Sequence, residues 1–197
     1  MSEVDLLGLK KDFNLQLEPY KLINYLNLSI EDSLKILEIR NHPSIRMRMA
    51  NQAIISEESH IDFISKLLEK NIGYWVLKIN EEILGSISMV EYNEFEASFI
   101  GGNFIAPEKI GSGFGAVINY CMHLLAFEKL KCQKIKAFVR KDNVNAIRIN
   151  TLYGAVFLEE SIRNDEANND YKLIEFSSEV WFNKIKEKTS KIIRHVL

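Results

Sequence analysis

The stretch of sequence that decides the fold is residues 101–117, GGNFIAPEKIGSGFGAV. An extended apolar segment ends at Pro107, glycines alternate at 111, 113 and 115, and an amphipathic helix is predicted through about Leu130. Alternating glycines let successive backbone N–H groups converge where a helix begins, and a helix N-terminus carries partial positive charge. The stretch predicts a cradle for a phosphate or pyrophosphate, with a tight turn that binds nothing as the alternative.

Composition narrows the class of protein. The chain has 197 residues, of which 47% are hydrophobic and 26% charged, so residues 1–197 are interpreted as one globular domain. A net charge of −2 disfavours nucleic-acid binding. The two cysteines, Cys121 and Cys132, form no metal-ligand or disulfide pattern, so no metal site is expected. Without a leader or a long apolar run, the sequence predicts a cytoplasmic protein with no stable membrane insertion.

The remaining elements follow from hydrophobic periodicity and from capping and turn residues. Residues 1–14 are interpreted as a peripheral extension, and 177–197 as an amphipathic helix that packs on its own domain or on a second subunit, which makes a homodimer possible. Paired glycines at 101 and 102 predict a bulge in the strand that contains them. The predicted strands lie within 15–28, at 74–79, 83–91, 97–105, 134–139, 155–158 and 171–176. The predicted helices begin at Ser29, at Ser56, after the alternating glycines and at Asn145.

This order of elements resembles the GNAT superfamily of N-acetyltransferases. The family's loop motif, Gln/Arg-x-x-Gly-x-Gly/Ala, is similar to residues 110–115, although Ile110 replaces the leading Gln or Arg. A second family block, Asn-x-x-Ala-Ile with a later Gly, is matched by 143–147 and Gly154. The resemblance implies an α+β fold with a mixed, mostly antiparallel sheet, in which a bulged strand is splayed from its neighbour to bind acetyl-CoA.

The resemblance also implies which residues hold acetyl-CoA. The pantetheine arm would pair with the open strand at Asn103, Phe104 and Ile105, and a backbone N–H at Phe104 or Ile105 would polarise the thioester. The pyrophosphate would lie on the loop, and Asn143 and Ala146 would contact the cofactor from the other side. The loop residues concerned are Ile110, Gly111, Ser112, Gly113, Phe114, Gly115 and Ala116.

A narrower resemblance lies near the front of the chain. Residues 37–43 (LEIRNHP), 54–64 (IISEESHIDFI) and 74–77 (YWVL) are similar to the acetyltransferases of pseudaminic acid biosynthesis. That resemblance implies acetyl transfer to the 4-amino group of a nucleotide-linked (UDP) amino-dideoxy sugar. The alternatives are a ribosomal-protein N-terminal or polyamine acetyltransferase and, from another class, a non-catalytic acetyl-CoA-binding module.

Acetyl transfer to an amine needs a base and a proton donor for the departing thiolate. His60 is the first candidate for the base, with capping or packing as the alternative. Ser98 could relay a proton through water, although an ordinary strand serine is the alternative. The family's usual acid is a tyrosine, and Asn150 stands in its place; an amide can hydrogen-bond the sulfur but cannot give up a proton as a phenol can. Tyr153, one turn further on, is interpreted as a core residue.

Three residues are candidates for contacts with the acceptor. Arg40 and His42 lie beside a helix end that Pro43 terminates, where they could contact a nucleotide phosphate or sugar. The alternative for Arg40 is that it caps its own helix. Trp75 could stack on a uracil or flank the thioester, with core packing as its alternative.

Overall fold

The computed structural model describes residues 4–15, 19–158 and 170–193. Its described strands form one eight-stranded sheet in the order β1-β2-β3-β4-β5-β6-β8-β7. Every neighbouring pair is antiparallel except β5 and β6, which run parallel. The strands are β1 (Phe13–Asn14), β2 (Tyr20–Asn24), β3 (Gly73–Ile79), β4 (Glu82–Asn93), β5 (Ser98–Ile105), β6 (Lys134–Arg140), β7 (Val156–Leu158) and β8 (Tyr171–Ser177).

Helices cover both faces of the sheet, and their starts follow the predicted caps. Ser29 Oγ accepts the Asp32 N–H and Ser56 Oγ accepts the Ser59 N–H, each at 3.1 Å. The helix predicted through Leu130 changes to π-helical winding at Leu124–Lys129. The α-helices are α1 (Ile30–Asn41), α2 (Pro43–Arg46), α3 (Glu57–Ser65), α4 (Phe114–His123), α5 (Val144–Leu152), α6 (Ser178–Val180) and α7 (Lys186–Ile193).

The parallel pair opens where the sequence predicts. β5 and β6 are paired only over Ser98–Ile100 and Lys134–Lys136, and no strand among the described residues lies on that side of the rest of β5. The mixed, mostly antiparallel sheet with a splayed strand confirms the predicted fold class.

The predicted position of the bulge is wrong. β4 and β5 pair without interruption at both glycines, and their register shifts instead between Val90 and Asn93.

Strand alternation divides the apolar residues between two cores. The larger core lies under α4 and includes Trp75, Ile87 and Phe99, each 0% exposed. The smaller core lies under α1 and α3 and includes Tyr25 and Val76. Neighbouring residues of one strand therefore belong to different environments, and this decides which side chains reach the functional site.

Residues 4–14, the described part of the predicted peripheral extension, are attached to the body of the fold. Leu9 is buried in the larger core, and the Asp5 N–H donates to the Leu130 carbonyl at 2.8 Å. Lys10 Nζ donates to the carbonyls of Lys70 and Ile72 at 2.6 and 2.8 Å. These bonds attach the segment to the body of the fold.

The C-terminal helix packs against its own domain over the described range. Trp181, Ile185, Thr189 and Ile193 form its buried stripe, at a spacing of four residues. Winding is π-helical over Trp181–Ile185, between α6 and α7. Within the described residues, no helix is both long enough and apolar enough to cross a membrane.

Candidate active site

A cavity of about 1390 Å³ extends from the opening between β5 and β6 across the sheet to α1 and α3. One half is bounded by the glycine loop, α4 and α5, which are the elements that the sequence assigns to acetyl-CoA. The other half, called here the acceptor half, is lined by Tyr25, Ile36, Arg40, His60, Phe63, Tyr74, Ser86 and Phe104. The splay of β5 connects the two halves.

The open edge of β5 presents backbone groups of alternate residues. The Ala106 N–H donates to the Leu84 carbonyl at 2.8 Å, which sets the phase of the β4–β5 ladder. Because antiparallel bonding alternates, Phe104 then faces β4, whereas Asn103 and Ile105 direct their N–H and C=O groups to the side that β6 has left. Of the two residues predicted to polarise a carbonyl, Ile105 fits and Phe104 does not.

The glycine loop holds several N–H groups at the start of α4 that have no hydrogen-bond partner in the described part of the chain. Gly111 and Gly113 have φ of 87° and 90°, a region that favours glycine. Phe114 and Gly115 occupy the first helical turn, where an N–H has no partner within the helix. The other three predicted loop residues differ, because their N–H groups are already bonded: Ile110 to Pro107, Ser112 to Lys109 and Ala116 to Gly113.

Helix α5 forms the wall opposite the glycine loop. Asn143 Oδ1 caps this helix by accepting the Ala146 N–H at 3.2 Å, which leaves the Asn143 amide N–H groups for another partner. Ala146 and Asn150 also line the cavity. Tyr153 is 2% exposed and donates its hydroxyl to the Ala116 carbonyl at 2.7 Å. It therefore supports the loop from the core, as predicted, and does not replace the missing acid.

His60 lines the acceptor half in a defined tautomer. Its Nε2 lies 3.0 Å from the Ser33 carbonyl oxygen, which can only accept, so Nε2 carries the hydrogen and Nδ1 the lone pair. Burial lowers the pKa of His60 in spite of this bond. The ring is neutral near pH 7 and can accept a proton at Nδ1, as a base requires.

Six predicted site residues lie outside the cavity lining: the loop residues Ser112, Phe114 and Ala116, and also Trp75, Ser98 and His42. Trp75 is 0% exposed and donates from Nε1 to the Lys11 carbonyl at 2.8 Å, since alternation turns it into the larger core. Tyr74 occupies the position facing the cavity. Ser98 is 3% exposed, and its hydroxyl donates to Glu96. His42 is exposed, and its ring caps α2 by accepting the Ser44 N–H.

The charge of the cavity is positive. The described residues that line it include the arginines 40, 48, 140 and 148 but a single carboxylate, Asp142, which Arg140 binds through two hydrogen bonds of 2.9 and 3.0 Å. Arg40 donates from Nη2 to the Asn51 carbonyl at 2.6 Å, whereas its Nη1 is buried without a partner among the described residues. Burial lowers the pKa of Arg40, which nevertheless stays charged. An anionic group is the natural partner for it.

Sequence reasoning missed several lining residues of the cavity, in particular Tyr25, Tyr74, Ser86 and Ser88. Their common feature is the period of two in the hairpin, where Tyr74 is paired with Ser88 and Val76 with Ser86. This alternation places Tyr74 and Trp75 on opposite faces of the sheet, and the register against β4 then decides that Tyr74 lines the cavity. For Tyr25 the sequence carries no such signal, because the residue lies after the end of β2 in a 3₁₀ turn.

Comparison with known proteins identifies the family. The model of the acetyltransferase (GNAT) family matches residues 36–150. Acetyltransferase PseH of Campylobacter jejuni serotype O:2 is 33% identical over 130 residues, which are 66% of this chain and 80% of that protein. PseH of serotype O:23/36 is 32% identical over 133 residues, with the same coverage.

Solved structures show the same fold. The crystal structure of C. jejuni N-acetyltransferase PseH in complex with acetyl coenzyme A has a TM-score of 0.63 at 23% identity, over 80% of this chain and 98% of that one. The spermidine N-acetyltransferase of Vibrio cholerae in complex with CoA and spermine has a TM-score of 0.73 at 20% identity, over 85% and 100%. The family match and the PseH relatives confirm the predicted class of enzyme. The chain belongs to the GNAT family of acetyltransferases.

Proposed function

We propose that this chain transfers the acetyl group of acetyl-CoA to the primary amine of a nucleotide-linked amino sugar. The observation that carries the choice of acceptor is Arg40, the one charged arginine among the residues that line the acceptor half, where the described lining holds no carboxylate. A nucleotide-linked sugar brings phosphates that complement this charge, and the guanidinium of Arg40, which lines the cavity, can pair with one of them. The similarity to PseH and the front-end motifs support the same acceptor.

The residues present fit acetyl-CoA. Four loop N–H groups, at Gly111, Gly113, Phe114 and Gly115, can hold the pyrophosphate at the start of α4. The open edge of β5 at 103–105 can pair with the amides of the pantetheine arm, and the free amide N–H of Asn143 can donate from the opposite wall. When bound, acetyl-CoA supplies the activated thioester.

The chain's own residues supply the rest of the reaction. His60 accepts the proton of the acceptor amine at Nδ1, directly or through water. The Ile105 N–H, on the open edge of β5, donates to the carbonyl oxygen on which negative charge develops. Asn150 donates a hydrogen bond from its amide but cannot release a proton, so the proton for the thiolate comes from the acceptor ammonium or from water.

The other acceptors fit this cavity less well. Spermidine is a polycation and requires carboxylates, whereas Asp142 is paired with Arg140 and the other charges that line the cavity are positive. The likeness to spermidine N-acetyltransferase is at 20% identity and concerns the fold. A homodimer stays a prediction, and the buried stripe of the C-terminal helix already packs in its own domain.

Two measurements test the proposal. Saturating acetyl-CoA, at about 100 times its Kd, stabilises the fold by roughly 2.7 kcal/mol, so we expect the Tm to rise by about 5–10 °C. Thiol release is then compared for UDP-linked amino sugars, peptides and spermidine at equal concentrations. Faster turnover of spermidine or peptide would contradict the choice of acceptor, and release with none of them would favour the non-catalytic module.

Substitution of Arg40 tests the charge argument directly. Loss of a hydrogen bond to a charged group is worth about 1.5–3 kcal/mol, so Arg40→Ala should raise the KM for a UDP-amino sugar by roughly 10–100-fold and leave the KM for acetyl-CoA unchanged. Lys35→Ala is the matched control, because Lys35 is an exposed cation on the same helix that does not line the cavity. Equal KM values for the UDP-amino sugar in the two variants would show that Arg40 does not bind the acceptor.

A further inference from the structure

Two hydroxyl groups in the acceptor half have no role in cofactor binding or in the proton transfer assigned to His60. Tyr25 Oη and Ser86 Oγ lie 2.8 Å apart in a hydrogen bond. Tyr25 is 6% exposed and Ser86 2%, and both line the cavity. They come from the 3₁₀ turn after β2 and from the middle of β4, so the pair forms only in the folded chain.

The surroundings of this pair are mainly aromatic. The Tyr25 ring lies 5.5 Å from that of Tyr74 and 6.3 Å from that of His60, measured between centroids. The Val76 side chain, which lies on the same face, is 0% exposed. Apolar residues in place of both partners of such a pair would cost little stability. Stability therefore does not explain the two hydroxyl groups, which suggests that they bind a ligand.

Counting hydrogens shows what the pair can offer. Two hydroxyl groups carry two hydrogens, and the bond between them uses one, whichever residue donates. The second hydrogen has no acceptor among the residues that the structure describes, and the oxygens keep free lone pairs. Burial raises the pKa of Tyr25, so the phenol stays protonated in the physiological range. The pair presents one donor and at least one acceptor to an occupant of the cavity.

The position of the pair relates it to the sugar of the acceptor. Ser86 is paired with Phe104, which directly precedes Ile105 on the open edge of β5. Tyr25 lies within electrostatic range of Arg40, the residue assigned to an acceptor phosphate. An acceptor with its phosphate at Arg40 and its amine at the open edge therefore has its sugar ring beside the two hydroxyl groups.

We propose that the Tyr25–Ser86 pair is a specificity element that hydrogen-bonds a hydroxyl or acetamido oxygen on the sugar ring of the acceptor. The inference rests on the proposed function, because it takes the acceptor to be a nucleotide-linked amino sugar. A site built to hydrogen-bond an oxygen discriminates against analogues without it, since its own buried polar groups are then unpaired. Sugars that carry an oxygen at this position are thus preferred over deoxy analogues.

Three variants separate recognition from structure: Tyr25→Phe, Ser86→Ala and the double variant. Each single change leaves one buried hydroxyl without its partner and should lower the Tm by roughly 2–12 °C. The double variant removes both hydroxyl groups, so its Tm should return close to that of the wild type. The KM for the best UDP-amino sugar should rise by about 3–10-fold in all three variants, and the KM for acetyl-CoA should not change. Tyr92→Phe, which removes a hydroxyl outside the cavity lining, is the control.

The outcomes are distinct. A double variant that recovers both the Tm and the KM of the wild type would overturn the proposal, because the pair would then serve packing alone.

If the wild type acetylates no amino sugar, the proposed function fails, and the pair is judged by binding alone. The ratio of the Kd for UDP to the Kd for UDP-N-acetylglucosamine is then compared in wild type and Tyr25→Phe. A ratio about 3–10-fold lower in the variant supports the pair as a sugar contact, and an unchanged ratio refutes it.

Discussion

His123 makes the stability of this protein depend on pH. The residue is 0% exposed at the end of α4, and its ring lies 4.6–5.6 Å from the ring centroids of Phe176, Tyr153, Trp181 and Phe127. Nδ1 donates to the Asn119 carbonyl at 2.7 Å, whereas Nε2 is buried and has no partner among the described residues. Protonation would place a charge on that nitrogen in an apolar environment, so burial lowers the pKa of His123 to about 4.

The sign and size of the effect follow from this lowered pKa. In the unfolded chain His123 has its ordinary pKa of 6.5. Between pH 6.5 and 4, His123 is therefore protonated in the unfolded state but not in the folded state. The stabilising contribution is complete above pH 6.5 and is lost as the pH falls through that window. At about 1.4 kcal/mol per pH unit, the total loss is about 3 kcal/mol, of which about 2 kcal/mol is lost by pH 5.

Urea denaturation of the wild type and of His123→Phe at pH 7.5 and pH 5 measures this contribution. The phenyl ring keeps an aromatic group in the cluster but does not titrate, and the carboxylates and His60 titrate in both proteins. The wild type should lose about 2 kcal/mol more free energy of unfolding than the variant between the two pH values. Equal losses in both proteins would refute the reasoning and would mean that His123 accepts a proton in the folded state.

Two further predictions concern the functional site. Gly85→Ala would place a Cβ 2.2 Å from the Phe104 carbonyl oxygen, so β5 must shift. We expect urea denaturation to show a loss of about 1–3 kcal/mol in stability, and calorimetry to show weaker binding of acetyl-CoA. An unchanged affinity for acetyl-CoA would show that the cofactor does not use the open edge of β5. His60→Ala should lower kcat by roughly 10²–10⁴-fold, while the exposed His42→Ala should not, and a wild-type kcat in the first variant would exclude His60 as the base.

The prediction of the glycine loop and the open strand from sequence succeeded because their causes are local. Gly111 and Gly113 take positive φ at the positions where the motif places them. The short β5–β6 pairing lies where the paired glycines indicated a change, although the bulge itself lies in β4. A register shift depends on two strands together, and a sequence read one strand at a time does not contain it.

The acceptor half was predicted less well for the same reason. Trp75 and Tyr74 are neighbours, and only the register of β3 against β4 decides that Tyr74 faces the cavity while Trp75 is buried. The peripheral role was wrong for residues 4–14, the described part of the predicted extension, because Leu9 packs against distant elements in the larger core. Both errors concern contacts that are far apart in the chain.

By itself the sequence determined the family, the splayed sheet and the loop that starts α4, because each depends on glycines, caps and periodicity within about 30 residues. The tertiary structure decided which of the predicted residues meet in one cavity. It brought Tyr25 to Ser86 across 61 residues, and it buried Trp75 away from the site. It also buried Nη1 of Arg40, which has no partner among the described residues. Such choices depend on how helices dock on the sheet and on strand register, and these are properties of the packed chain.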